Sequence, residues 1–154
     1  MDTYKKCFVL ALVLLLSLVG GGCQRQVNAS SLMLTFADCY GIEGTVYTTE
    51  GRPWDAGYLS DEMLMGLYGV QPPIYRSAAV LLCSDLYTVR ECGIFVCEDR
   101  DDALTTALLL DARIRQLARY DGKTEGDVLS FGNTVVYFSL PDANHARDIW
   151  WRLL

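Results

Sequence analysis

The sequence predicts an α+β domain: a mainly antiparallel sheet of about four strands, with helices packed on one face, in the order α-β-β-α-β-β-α. Three observations carry this prediction. The runs 74–83 and 92–97 are apolar and rich in β-branched or aromatic residues, as core strands are. Directly after them an amphipathic stretch brings Leu104, Ala107, Leu108, Asp111, Ile114, Leu117 and Ala118 together at helical steps. Beyond it, the β-forming runs 128–131 and 134–140 are separated only by Gly132-Asn133, the composition of a hairpin turn.

Taken in order, the chain begins with Lys5 and Lys6, the apolar run 8–19, and then Gly20-Gly21-Gly22-Cys23. A basic patch, a short apolar run and small residues make a secretory signal, too short for an ordinary membrane span. A cysteine directly after the small residues resembles a bacterial lipobox, with Gly20 standing where leucine is usual. Residues 1–22 therefore read as a lipoprotein signal peptide, and Cys23 as the lipidated first residue of the mature protein. Residues 23–31 read as lipid anchor and polar tether, and 32–154 as one domain.

Within that domain, 32–40 reads as either a helix or a strand, and Gly44 as a turn leading into a strand. Residues 48–53 read as loop. Ser60 is placed to cap a helix over 61–67, Gly69 to end it in a left-handed conformation, and Pro72-Pro73 to prevent its continuation. The strand 74–83 sets Ala78, Val80 and Leu82 on one face and Ala79, Leu81 and Cys83 on the other. Glu98, Asp99, Asp101 and Asp102 suit the start of the long helix, where free N–H groups and the dipole favour acids. A calcium loop would also need a turn glycine and a distal glutamate, which this stretch lacks. Asp111, Arg115 and Arg119 fall along the helix's polar side, and Asp121-Gly122-Lys123 ends it.

Pro141 stops the last strand and opens a closing helix over 142–154, with Ala146, Ile149, Trp150 and Leu153 as its apolar stripe. Trp150 is expected in the core. Trp151 lies about 100° further round the helix and is expected at a partly exposed apolar seam against segment 32–57.

The chain carries 13 basic and 19 acidic residues, a net charge of −6; from Cys23 onwards the counts are 11 and 18, a net of −7. That balance argues against nucleic acid and against docking on anionic lipid through a basic face. The exported part keeps Cys39, Cys83, Cys92 and Cys97, at spacings that match no zinc or redox motif. Cys92 and Cys97 point to opposite faces of one strand. If strands 74–83 and 91–97 pair about a turn centred on Tyr87-Thr88, Cys83 stands opposite Cys92 as a candidate disulfide partner.

His145 is the sole histidine, and no nucleophile elbow, phosphate loop, dinucleotide fingerprint or zinc pair accompanies it. The sequence thus offers no catalytic residue, no metal ligand and no cofactor. Aromatic residues are more numerous, and Trp151 and Trp54 are the candidates for ligand or partner contact.

The segment 59–70, Leu-Ser-Asp-Glu-Met-Leu-Met-Gly-Leu-Tyr-Gly-Val, resembles the acidic helix ending in Tyr-Gly-Ile of uncharacterised lipoproteins of clostridial Firmicutes. Glu91 opening the 93–96 strand, Asp102-Ala103, Arg113 and Gln116 in the long helix, the Gly132-Asn133 hairpin and the terminal helix are similar too. The resemblance covers roughly 59–154, and Tyr120 stands without the Tyr-Pro segment common in that family. It implies an envelope lipoprotein with no assigned activity. The expected role is a membrane-anchored, extracytoplasmic binding or accessory module that meets a protein or small ligand. The alternative is an envelope hydrolase or thiol oxidoreductase whose site forms only in the fold.

Overall fold

A computed structural model of the chain describes residues 28–83, 90–120 and 125–154. The expected export signal with Cys23, the expected turn at Tyr87-Thr88 and the expected helix end at Asp121-Gly122-Lys123 lie outside the described residues. The elements run α1 (Ala29–Tyr40), β1 (Gly44–Thr48), α2 (Asp61–Tyr68), β2 (Tyr75–Cys83), β3 (Glu91–Cys97), α3 (Arg100–Ala118), β4 (Glu125–Phe131), β5 (Thr134–Leu140) and α4 (Ala143–Leu153). The fold is α+β. The described strands form one antiparallel sheet in the order β1-β2-β3-β5-β4, so β1 and β4 are its edges. From β3 the chain crosses through α3 to edge strand β4, and the Gly132-Asn133 turn (Gly132 φ 64°) returns it as β5 beside β3.

Local signals set most of these boundaries. The Ser60 side chain accepts from the Met63 N–H, and Gly69 closes α2 at φ 70°. Asp99 accepts from the N–H groups of both Asp101 and Asp102 at 2.9 Å. Asp142 caps α4 through the N–H of His145.

The sheet has five strands rather than four, the additional one being β1, and the helices cover both faces rather than one. The cause is visible in β2, β3 and β5. Their alternating side chains are apolar in both directions, so either face left bare would expose a core. On one face, α1 and α4 close over Ala79, Leu81, Cys92, Ile94, Val136 and Phe138. On the other, α2 and α3 close over Ala78, Val80, Phe95, Val135 and Tyr137.

Segment 29–40 is a helix, and it starts inside the expected tether. Ala29, Met33 and Phe36 are fully buried, Asn28 caps the helix through the Ser31 N–H, and Gly41 ends it at φ 73°. The buried stripe of α3 is Ala103, Thr106, Leu110, Ile114 and Leu117. Ile114 and Leu117 are buried as expected, whereas in the first half of the helix the stripe falls on Ala103, Thr106 and Leu110 and leaves Leu104 and Leu108 exposed. Thr106 enters the core because the Cys97 thiol lies 3.5 Å from its hydroxyl.

Trp150 is wholly buried and stacks on Phe36 of α1 at 4.5 Å between centroids. It is therefore Trp150, not Trp151, that meets the N-terminal segment. Trp151 is 61% exposed and packs edge-on against Phe131 of β4, at 4.6 Å. We expect Trp150→Ala to cost roughly 3–5 kcal/mol of stability, read by chemical denaturation. Trp151→Ala should cost no more than about 1 kcal/mol.

Candidate functional site

Glu91 is the one buried charged side chain at the centre of the described sheet, only 1% exposed at the start of β3. An unpaired carboxylate there would cost far more than the fold could bear, so its partners define the site. The Arg113 guanidinium descends from α3 and forks over it, Nε to Oε1 at 2.8 Å and Nη2 to Oε2 at 2.9 Å. The Tyr137 hydroxyl of β5 donates to Oε1 at 3.1 Å. Arg113 also reaches Gln116 Oε1 at 3.3 Å and lies 5.6 Å above the Tyr68 ring of α2. Three elements thus meet on one carboxylate, and α2 joins them through the guanidinium.

The backbone makes room for this arrangement at Gly93, directly opposite Tyr137 in the β3–β5 register. A Cβ on Gly93 would collide with the Tyr137 ring. The missing side chain is what lets that ring lie across the sheet with its hydroxyl on Glu91. Tyr68, Phe95 and Tyr137 form a tilted aromatic cluster beside it, with centroids 5.6–6.3 Å apart.

Burial, then the Glu91 charge, pushes the Tyr68 phenol up; burial, then Tyr68 and Glu91, does the same to Tyr137. The hydrogen bond that Arg113 donates to Glu91 raises its guanidinium above the usual value. Three donors on the carboxylate and two phenols held neutral describe a locked polar joint between sheet and helices. They do not leave an acid or base free to exchange protons with a substrate.

Trp54 and Trp151, the two expected contact residues, are both exposed but not brought together. Trp54 follows edge strand β1 and is 77% exposed, whereas Trp151 covers opposite edge strand β4. Cys83 does not stand opposite Cys92. Cys92 faces Leu81, and the Cys83 N–H donates to the Arg90 carbonyl at 3.1 Å. The register is slipped by two residues, so both thiols stay on the α1 side but sit diagonally, beyond the spacing a disulfide prefers.

Cys92 is completely buried against Met33 Sδ at 3.6 Å, and burial pushes its thiol well up, the reverse of an activated nucleophile. Cys39 is exposed on α1. His145 is exposed on α4, with its ring 5.4 Å from that of Tyr40. Among the described residues no three His, Cys, Asp or Glu side chains are grouped to hold a metal ion.

Four residues that carry the family resemblance, Tyr68, Glu91, Arg113 and Gln116, are members of this one joint. Sequence reading had them separately. The signals that could have joined them are an acid opening an otherwise apolar strand, a glycine inside that strand, and an arginine one residue from the buried Ile114. Comparison with known proteins finds no matching family model, no matching curated protein and no matching solved structure.

The Tyr68 hydroxyl is buried beside that of Tyr137. A phenol raised in the folded state contributes stability that is present below its unfolded pKa of about 10 and is lost as pH climbs through the folded value. Tyr68→Phe should therefore leave stability at pH 7 within about 1 kcal/mol and flatten its decline above pH 10, measured by urea titration. Gly93→Ala should cost roughly 1–3 kcal/mol through the Tyr137 clash; an unchanged denaturation midpoint would contradict that contact.

Proposed function

We propose that the chain is an exported lipoprotein, held on the extracytoplasmic face of a cell membrane by lipid on Cys23, whose domain binds rather than catalyses. The reading places it with the clostridial envelope lipoproteins it resembles. The observation that carries it is the junction at the N-terminus. Basic Lys5-Lys6, the apolar 8–19 run and Gly20-Gly21-Gly22-Cys23 are followed within six residues by Ala29, the first core residue of the domain. A span of that composition so close before a capped helix is what an export signal and lipid anchor require.

A binding role draws support from how the reactive side chains are used. Glu91 is committed to Arg113 and Tyr137, Asp99 and Asp142 to helix caps, and Cys92 and Cys97 to the core. Among the exposed large apolar side chains of the described surface are two tryptophans, Trp151 over Phe131 at one sheet edge and Trp54 beyond the other. Exposed tryptophans of this kind are suited to contacts with another surface.

The test is detergent-phase partitioning of the full chain made in a bacterial host. The wild-type protein should enter the detergent phase and carry an acylated Cys23 by peptide mass. The Cys23→Ser variant should move to the aqueous phase. Equal partitioning of the two, with the chain cut elsewhere, would overturn the anchor.

A further inference from the structure

The start of α1 is fastened to the loop that follows β1. The Glu50 carboxylate accepts from the N–H groups of Ala29 (3.1 Å) and Ser30 (3.3 Å), so an acid sits on the positive end of the helix. Asn28 completes the cap through Ser31, at 2.6 Å. The point where the chain enters the domain is thereby fixed beside residues 49–57.

That loop is itself held in one shape. Arg52 N–H donates to Asp55 Oδ2, Asp55 N–H to the Arg52 carbonyl, and Tyr58 N–H to the Asp55 carbonyl. Thr48 exchanges bonds with Gly57 and Leu59 at the base, at 2.8 and 3.0 Å. Residues 52–56 stand fully outward from this frame. At their centre Trp54 is 77% exposed, with the Arg52 guanidinium 6.0 Å from its ring.

Five peptide steps separate Cys23 from Asn28, a reach of at most roughly 17 Å even when fully extended. Trp54 is four residues from Glu50, within roughly 14 Å by the same measure. A domain of this size has a radius of gyration of about 14 Å. A lipid on Cys23 would therefore keep the start of α1, and the 52–56 loop fastened beside it, within reach of the bilayer surface.

We propose that the 52–56 loop is a lipid-surface contact, with Trp54 seated at the headgroup level of the membrane that anchors Cys23. Tryptophan concentrates at that depth because its ring is apolar and its indole N–H is polar, and an adjacent arginine can lay its stem along the interface. The domain's acidic charge gives no long-range pull towards anionic lipid, so the contact depends on the short tether and the ring. The inference rests on the Cys23 lipid reading and adds to it the face the domain turns to the membrane.

The experiment uses the full chain, matured in a bacterial host and reconstituted into phosphatidylcholine vesicles whose acyl chains are brominated or plain. Bromine quenches only tryptophan that reaches the interface. Wild-type and Trp151→Phe proteins should lose emission in brominated vesicles, and Trp54→Phe should lose none. Trp54 makes no core contact, so its variant should keep the wild-type urea midpoint, which is checked in parallel. Acylated protein that floats with the vesicles and shows no quenching, or quenching that survives Trp54→Phe, would overturn the loop contact while the lipoprotein reading stands. An unacylated Cys23 would overturn both.

Discussion

The Glu91–Arg113 pair is the interaction on which the arrangement of this fold depends. Removing a carboxylate and a guanidinium from water is costly, and the attraction between them offsets that cost only when geometry and additional hydrogen bonds are good. Here the guanidinium fork is two-pronged, Tyr137 supplies a third donor and the Tyr68 ring lies beneath the cation. A joint of this kind contributes less to net stability than to orientation. It ties α3 to β3 and β5 at Arg113, the α3 residue that bonds Glu91. Gly93 then becomes a packing requirement, since the Tyr137 ring must cross the sheet at that point.

How much was legible in the sequence follows from which features are local. Ser60, Gly69, Asp99 and Gly132-Asn133 act within a few residues of themselves, and the elements they bound were readable. The α+β class followed from their order. The strand register was not readable. A two-residue slip between β2 and β3 leaves every side chain on its original face, so the apolar pattern alone could not distinguish Cys83 opposite Cys92 from Cys83 opposite Arg90. The second helical layer was implied by Ala78 and Val80 alternating with Ala79 and Leu81, both sets apolar, but the helices were assigned to one face. The polar joint lay outside sequence reasoning for a different reason. Glu91, Arg113 and Tyr137 are far apart in the chain, and only the β3–β5 pairing and the α3 crossover bring them together.

Tyr68, Glu91, Arg113 and Gln116, residues on which the expected resemblance was read, are all engaged in holding layers together. The surface tells a separate story. Trp54 and Trp151 occupy opposite sheet edges, so under the proposed anchoring by Cys23 one would face the membrane and the other would stay available to a partner. This division follows from the short link before α1 and from the bonds that tie Glu50 to its first turn.

The central claim is that Glu91 and Arg113 act as one unit, and a double-mutant cycle measures it directly. Stability would be determined for the wild type, Glu91→Gln, Arg113→Leu and the double variant under identical conditions. Each single change leaves a buried polar group without its partner and should cost about 3–5 kcal/mol, whereas the double variant should cost clearly less than their sum. A coupling of about 2 kcal/mol or more would establish the joint. Additivity to within about 0.5 kcal/mol would show that the two side chains are merely neighbours, and that something else fixes α3 on the sheet.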